Sequence, residues 1–164
     1  ALTYKRLLCD RRFTIYDEVC QEIIHMVATF VRMDRESRKV HPVVPEIVAP
    51  YQSEFSKKLV RGPKYTELEE AISKDYHVRF YDLDMNGHVN NSKYLDWIFE
   101  VMGADFLTNH IPQKINLKYV KEVRPGGMIT SSYELNQLES NHQVSSDCDI
   151  NAQAKITWQE INKD

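Results

Sequence analysis

The sequence predicts an α+β fold in which an antiparallel sheet wraps around one central helix. Leu95, Ile98 and Met102 recur at intervals of three and four residues, so one side of a helix over residues 91–103 is apolar and must be covered. Apolar and polar residues then alternate, as in half-buried strands, in four segments near 113–122, 127–137, 142–150 and 152–161. A helix followed by a run of antiparallel strands is the order that such a sheet requires.

The composition is that of an ordinary globular protein of one large or two small domains, with 164 residues, 42% hydrophobic and 27% charged. A net charge of −3 argues against nucleic-acid binding, whose affinity comes mostly from neutralising phosphates. No apolar run approaches the length needed to cross a bilayer, and the opening residues lack the pattern of a signal peptide. Cys9, Cys20 and Cys148 are widely spaced, form no zinc or redox motif, and suit a reducing cytoplasm.

The first 33 residues predict a hairpin, with Phe13 and Ile15 in one strand and a turn near Asp17. The segment after this turn has two interpretations. Its apolar residues fit a helix by their three- and four-residue spacing, but over residues 24–30 they also fit a strand by alternation. The residues alone leave both interpretations open.

Residues 42–63 predict a linker, because they contain four of the six prolines among polar and charged residues. These prolines are Pro42, Pro45, Pro50 and Pro63. Residues 66–73 predict a short helix within the same region. A linker here would separate the N-terminal strands from the helix and sheet that follow.

Residues 77–102 combine a strand, a polar turn and an apolar helix face. Val78 and Phe80 alternate with polar neighbours before the turn, which is typical of a half-buried strand. Gly87 favours a tight turn because glycine tolerates positive φ. Asn90 or Asn91 can cap the helix, since a short side-chain carbonyl accepts from the first free backbone N–H groups.

Asp84, Asn86 and His88 occupy alternate positions in that turn, just before a helix N-terminus with partial positive charge and unpaired donors. This arrangement suits the stabilisation of developing negative charge. Two alternatives remain open. Asp, Asn and Gly are common turn formers, so the segment is also consistent with a plain turn. The residues from Asp82 onward fit the first six positions of an EF-hand calcium loop, but Lys93 stands at the twelfth position, where a bidentate Glu is needed.

The stretch YDLDMNGHVNNSKY at residues 81–94, followed by Trp97, resembles the signature of the acyl-ACP thioesterases of plants and bacteria. This resemblance implies the hotdog fold, in which a curved antiparallel sheet wraps a long central helix. It also implies two such units in tandem. Residues 13–51 are similar to the end of the first unit, which favours the strand interpretation of the open segment.

The resemblance implies a division of the chain into three parts. Residues 1–45 would be the C-terminal strands of an incomplete first hotdog unit, 46–73 a linker, and 74–164 a complete second hotdog domain. The first 12 residues leave no room for the early strands and the helix of a first unit. We therefore expect an N-terminal part of the natural protein to be missing from this sequence, because lone strands would expose unpaired edges and an apolar face.

In the resembling family the Asp, Asn and His of the turn act with a Glu on a neighbouring strand, in a basic-basic-Glu-Cys context. Here the letters KYVKEV, ending at Val123, occupy that place, so that Glu122 matches the Glu and Val123 replaces the Cys. A cysteine nucleophile at this position is therefore excluded. The resemblance implies a catalytic set of Asp84, Asn86, His88 and Glu122, with no metal and no soluble cofactor.

We expect Glu122 and Asp84 to be the two carboxylates of the site, one acting on water and the other holding His88, with their order left open. His88 would position water or polarise the thioester carbonyl, and Asn86 with a backbone N–H at the helix start would hold the oxyanion. Glu122 is also consistent with a solvated strand residue, and His88 with a turn histidine bonded to Asp84. Tyr94 and Trp97 are interpreted as helix packing residues, with contact to an acyl chain as the alternative.

The resemblance implies an acyl carrier protein as the partner, and because that protein is acidic it predicts a basic docking face. Two sets of residues could supply this face: Lys57, Lys58, Arg61 and Lys64 in the linker, or Lys114, Lys118 and Lys121 on one strand. An acyl-CoA thioesterase and a non-catalytic acyl-thioester binding module are the alternative functions. The acyl chain length and the oligomeric state, including a homodimer, are left open.

Overall fold

The structure is a computed structural model that describes residues 3–34, 36–37, 39–57 and 62–161. The backbone packs into two compact units, Ala1–Arg61 and Gly62–Asp164, here named the first unit and the second unit.

The first unit is built on a five-stranded sheet with the order β4-β3-β2-β1-β5. Its strands are β1 (Thr3–Tyr4), β2 (Leu8–Tyr16), β3 (Glu22–Met33), β4 (Val40–His41) and β5 (Glu54–Phe55). β2 and β3 form the predicted hairpin, and in its turn Asp17 Oδ1 accepts the backbone N–H groups of Val19 and Gln21 at 3.0 and 2.8 Å. The segment with two interpretations lies in β3, so the strand prediction is confirmed.

The predicted linker is partly structured, which corrects the sequence interpretation of residues 46–55. They contain most of α1 (Pro45–Val48), a 3-10 turn (Ala49–Tyr51) and β5, which pairs in parallel with β1. Pro45 and Pro50 stand in the first turns of these helices, where the missing N–H of proline costs no hydrogen bond. The prolines therefore start short helices instead of marking irregular chain.

The predicted short helix at residues 66–73 is wrong. Residues 62–71, just before β6 (Ile72–His77), form neither a helix nor a strand, and β6 pairs with the strand Met128–Asn136, more than 50 residues further along the sequence. The Glu134 carboxylate accepts the backbone N–H groups of Glu69 and Glu70, the latter at 2.6 Å. These two N–H groups therefore bond to a strand of the sheet, and tertiary contacts override the local helical preference.

The second unit is the α+β hotdog core: an antiparallel five-stranded sheet packed around a helix, in the order β6-β8-β9-β10-β7. Its further elements are α2 (Asn91–Glu100), α3 (Ala104–Leu107), β7 (His110–Tyr119), β8 (Met128–Asn136), β9 (Glu139–Ser146) and β10 (Asp149–Glu160). The predicted helix and the four predicted strands are all present, with bounds shifted by a few residues. None of the helices in the described ranges is long and apolar enough to span a membrane.

The strand predicted at Val78 and Phe80 ends earlier than expected. β6 stops at His77, and Phe80–Asp82 form a 3-10 turn that leaves the Phe80 ring 81% exposed. Asp82 causes the difference, because its carboxylate accepts the backbone N–H of Arg79 at 2.7 Å and closes the turn. Val78 remains buried in the core, as the alternation predicted.

The core of the second unit lies between α2 and the sheet. Tyr94, Trp97 and Ile98 face inward from α2 and pack with residues such as Val144 and Ile156 from the strands. Burying one such side chain fully stabilises the fold by roughly 1.5–3 kcal/mol. The interpretation of Tyr94 and Trp97 as packing residues is confirmed, and α2 holds a fixed position from which its N-terminus reaches the surface.

Candidate active site

The polar turn between β6 and α2 is a small closed loop. Leu83 and Val89 form an antiparallel bridge at its base. Within the loop, the Asp84 N–H donates to the His88 carbonyl at 2.7 Å, and the Gly87 N–H donates to the Asp84 carbonyl at 3.0 Å. Gly87 has φ of +76°, the left-handed conformation that the sequence predicted. The turn is therefore tight enough to bring its first and last side chains together.

The carboxylate of Asp84 bonds to the backbone of its own turn. Its Oδ1 accepts the N–H groups of Asn86 at 2.8 Å and His88 at 3.1 Å. The hydrogen bond from the His88 N–H, more than any other contact, holds the pKa of Asp84 below its usual range. Asp84 is therefore an ionised residue that stabilises the turn.

Asp82 anchors the turn from inside the protein. Its side chain is 1% exposed, and it pairs with Arg79 Nη2 at 3.0 Å. Its backbone carbonyl accepts the N–H of Asn90 at 2.8 Å. Burial acts to raise the pKa of Asp82, but the hydrogen bonds from Arg79 outweigh it and lower the pKa. Asp82 thus joins the chain before the turn to the start of α2, a role that the sequence did not predict.

The start of α2 is capped as expected. Asn90 Oδ1 accepts the Ser92 backbone N–H and the Ser92 hydroxyl, both at 3.0 Å. The carbonyl of Asn91 accepts the hydroxyl of Tyr119 at 2.9 Å, which connects the helix start to the end of β7. The backbone N–H of Asn91 belongs to the first helical residue, where no intrahelical acceptor exists.

A cleft of about 400 Å³ lies beside this helix start. Asp84, His88 and Glu122 line it, so the structure brings three of the four predicted site residues together. Asn86 is exposed and is not among the lining residues; its side-chain amide donates to Asp84 Oδ2 at 3.4 Å. The other lining residues are Val89, Asn90, Asn91, Tyr94, Tyr119, Val120 and Lys121.

Glu122 lies in the connection that follows β7, and this connection is fixed at both ends. The N–H groups of Val120 and Lys121 donate to the Asn151 carbonyl at 2.8 and 3.2 Å. The Val123 N–H donates to the Tyr94 hydroxyl at 3.2 Å. Val123 itself is buried in the core, so the position where the resembling family has cysteine holds an apolar packing residue.

Cys148 lies outside the cleft. It is exposed in the two-residue turn between β9 and β10, where Asp147 and Cys148 have φ of 49° and 66°. Its place on this hairpin turn gives it no part in the chemistry of the cleft.

The geometry of the turn differs from that of an EF-hand calcium loop. Asp82, its first position, bonds to Arg79, and the element before the turn is the strand β6. Over the described ranges, no three His, Cys, Asp or Glu side chains are grouped so that they could hold a metal ion. The turn therefore lacks the helix and the available first ligand of an EF-hand loop.

Solved structures with this fold define the class of protein. A Lactobacillus plantarum protein, whose name oleoyl thioesterase is provisional, matches with a TM-score of 0.90 and 30% identity over 98% of this chain and 66% of its own. The 12:0-ACP thioesterase from Umbellularia californica matches with a TM-score of 0.80 over 95% of this chain and 64% of its own. At 21% identity, this second likeness shows the fold alone. The chain has the hotdog fold of thioesterases.

Sequence models identify the family. The model of the acyl-ACP thioesterase C-terminal domain matches residues 65–160, and that of the N-terminal domain matches residues 1–51. The chain belongs to the acyl-ACP thioesterase family.

Curated proteins with similar sequences are also named as acyl carrier protein thioesterases. The chloroplastic oleoyl-acyl carrier protein thioesterase 1 of Arabidopsis thaliana is 25% identical over 77% of this chain, and the palmitoyl-acyl carrier protein thioesterase of Gossypium hirsutum is 25% identical over 78%. The matches cover 38% and 33% of these relatives, so the chain spans well under half of their length.

Proposed function

We propose that the protein is an acyl-ACP thioesterase, which hydrolyses the thioester of a fatty acyl-acyl carrier protein to a free fatty acid and the carrier protein. The observation that carries this proposal is that Glu122, His88 and Asp84 line one cleft at the start of α2. Membership of the acyl-ACP thioesterase family and the carrier-protein substrates in its relatives' names support the choice of substrate. We propose fatty acid biosynthesis as the process in which this release occurs.

The reaction needs a positioned water, a base for its proton, and donors for the oxyanion of the tetrahedral intermediate. A thiolate leaves readily because thiol pKa values lie near 8.5. A general base contributes roughly 10²- to 10⁴-fold, and one oxyanion donor roughly 10²- to 10³-fold. A few polar groups in a cleft are therefore enough.

Glu122 is the carboxylate we assign as the general base. Asp84 already accepts two backbone N–H groups, and its lowered pKa makes it a weak base. Water attacks the thioester carbonyl carbon while Glu122 takes a proton from it. The intermediate then collapses, the carbon–sulfur bond breaks, and the proton on Glu122 is available to the departing thiolate.

The remaining groups have supporting roles. Asp84 fixes the turn that carries His88, and its negative charge orients the imidazole, which positions water or polarises the carbonyl. The backbone N–H of Asn91, at the positive end of α2 and beside the cleft, is the oxyanion donor we assign. Asn86 acts through its amide on Asp84, because its side chain does not line the cleft.

Substitutions of Glu122 and His88 test the proposal. Glu122→Gln is expected to lower kcat on an acyl-ACP substrate by at least about tenfold, up to the roughly 10⁴-fold effect of losing a base. His88→Ala is expected to cost at least about tenfold as well. Glu160→Gln, an exposed change on β10, is the matched control and keeps wild-type turnover. Full activity in folded Glu122→Gln and His88→Ala proteins would remove these residues from the mechanism.

The carrier is tested separately by presenting one acyl chain on the acyl carrier protein and on coenzyme A. We expect a higher kcat/KM with the carrier protein. Equal or faster hydrolysis of the acyl-CoA would identify an acyl-CoA thioesterase instead, with the same cleft chemistry. Tight acyl-thioester binding without any product would identify a binding module.

A further inference from the structure

We propose that Asn151 is a positioning residue for Glu122: its buried side chain holds the carbonyl groups of Lys121 and Glu122, so that the Glu122 carboxylate faces the cleft. This inference rests on the function proposed above and adds a residue from a different strand to the reaction. Asn151 is not a catalytic residue, because it acts on the backbone of the base and does not line the cleft.

Every polar group of the Asn151 side chain is used. Its Nδ2 lies 3.3 Å from the Lys121 carbonyl oxygen and 3.4 Å from that of Glu122. Its Oδ1 accepts the Ser146 hydroxyl at 2.9 Å. The Asn151 backbone carbonyl accepts the N–H groups of Val120 and Lys121. One residue therefore bonds to four backbone polar groups of the segment that carries the base.

The fold prepares Asn151 for this role. The register of β10 against β9 shifts between Ile150 and Ala152, so Asn151 lies at a β-bulge and has no opposing residue in β9. A bulge redirects the chain and the side chain at the irregular position. Ala152 pairs with Tyr119, the last residue of β7, so the chain that leaves β7 passes directly beside Asn151.

The Glu122 segment needs such a restraint because it lies beyond the end of β7, where the regular strand pairing has stopped. Tyr94 restrains it on the helix side through the N–H of Val123. Asn151, which is 1% exposed, restrains it on the sheet side. A displacement of about 1 Å in a catalytic group can cost about 10²-fold in rate.

An amide is required at this position. The two carbonyl oxygens need N–H donors, and the Ser146 hydroxyl needs an acceptor; asparagine supplies both from one side chain. Aspartate has nearly the same shape but would place oxygen against both carbonyls. Alanine would leave the carbonyls and the hydroxyl without this partner, at the cost of buried hydrogen bonds.

The test is a double-mutant cycle between Asn151→Ala and Glu122→Gln, with kcat and KM measured on an acyl-ACP substrate. We expect Asn151→Ala to lower kcat by about tenfold or more while KM changes little, because the base is displaced and substrate binding is not. In the Glu122→Gln background the same change is expected to lower kcat no further, since the group it positions is already gone.

Ser131→Ala is the matched control. It removes a hydrogen bond that is also buried, from the Ser131 hydroxyl on β8 to the Trp97 carbonyl at 3.0 Å, and neither residue lines the cleft. We expect it to lower the free energy of unfolding by a similar amount but to leave kcat near the wild-type value. This separates loss of positioning from loss of stability.

Circular dichroism and thermal melting establish that each variant is folded. If Asn151→Ala does not fold, Asn151→Ser replaces it, because the shorter side chain remains polar but cannot bond to both carbonyl groups as the amide does. Wild-type kcat in a folded Asn151 variant, or a loss of equal size in both backgrounds, overturns the inference. Unchanged kcat in Glu122→Gln alone overturns the proposed function, so the two failures are distinguishable.

Discussion

At the scale of single residues, the carboxylate of Asp84 is engaged by the turn that carries it. It accepts the backbone N–H groups of Asn86 and His88, and it receives the Asn86 amide as well. Glu122 lines the same cleft from just beyond the end of β7, where the Asn151 amide bonds to its backbone carbonyl. The two carboxylates of one cleft therefore differ in their contacts, which is the basis on which we propose different roles for them.

The structural role of Asp84 in the turn and the role we propose for its charge in hydrolysis can be separated with two variants. Asp84→Asn keeps an oxygen that can accept the two N–H groups, so we expect its Tm to stay near the wild-type value. Asp84→Ala loses that acceptor, and we expect a lower Tm. Both variants lack the charge beside His88 and are expected to hydrolyse acyl-ACP more slowly. Equal Tm values for the two variants, measured by calorimetry, would contradict the assigned structural role.

His142 predicts a pH dependence of stability. It is 2% exposed, its Nε2 bonds to the Ser140 hydroxyl at 2.7 Å, and within the described chain its Nδ1 has no partner. Burial lowers the pKa of His142 from 6.5 to about 4. In the unfolded chain His142 is therefore protonated below about pH 6.5, whereas in the folded protein it stays neutral until the pH falls to about 4.

The free energy of unfolding is accordingly expected to fall as the pH drops from 6.5 to 4, on the order of 3 kcal/mol in all. Above pH 6.5 the titration of His142 should not change the free energy of unfolding. Urea unfolding at pH 7 and pH 4.5 measures the difference, and His142→Gln is the control, because it removes the titrating ring. A loss of the same size in both proteins would show that other groups cause it.

At the scale of elements, α2 connects the core to the cleft. Its inner face is buried under the sheet, and its capped first turn borders the site. Asn90→Ala removes the cap and is expected to lower the free energy of unfolding by about 1 kcal/mol. Asn90→Ser retains a capping oxygen and is expected to lower the free energy of unfolding by only a few tenths of about 1 kcal/mol. Denaturant titration of both variants provides the comparison, and an equal loss in both would assign the effect to something other than capping.

The elements were largely predictable because their signals are local. The three- and four-residue spacing predicted a helix over 91–103, and α2 occupies Asn91–Glu100. Alternation predicted the strands of the second unit. The errors have two sources. Before β6, a carboxylate that is distant in sequence, Glu134, bonds to the backbone and replaces the expected helix. At the end of β6, the local Arg79–Asp82 pair closes a turn that the alternation of apolar and polar residues does not reveal.

The site was predictable to a smaller extent. Asp84 and His88 belong to one turn, and the resemblance to a family added Glu122. Asn151 could not have been found this way, because it lies 29 residues from Glu122 and no local pattern links them. The sequence pattern identified Tyr119 only as a residue of a strand. It did not show that the Tyr119 hydroxyl bonds to the carbonyl of Asn91, the first residue of α2.

At the scale of the whole molecule, the second unit contains both the buried cluster, which runs from Val78 to Trp158, and the cleft. Of the predicted basic residues, Lys121 pairs with Asp149, whereas Lys114 and Lys118 are exposed and have no ion pair within the described chain. Both lie on β7, the strand whose last residue, Tyr119, lines the cleft. Lys58 and Arg61 of the alternative basic set lie outside the described residues.

Lys114 and Lys118 are therefore the residues we expect to contact an acidic carrier. The double change Lys114→Gln and Lys118→Gln should raise KM for the acyl-carrier substrate by about threefold or more and weaken its dependence on salt, with little effect on an acyl-CoA. Lys74→Gln, on β6 at the opposite edge of the sheet, is the control. An equal change in KM for both substrates would argue against a carrier-specific role.

The position of β10 between β9 and β7 has a consequence for how the protein is made. β7 is synthesised before β8 and β9, yet in the finished sheet it pairs with β10. A nascent chain on the ribosome must therefore carry β7, with the backbone groups that later bond to β10 unpaired, until β10 has emerged. At about 5–20 residues per second this interval lasts on the order of seconds. Slow translation of the segment before β10 would prolong exposure to aggregation and delay assembly of the cleft.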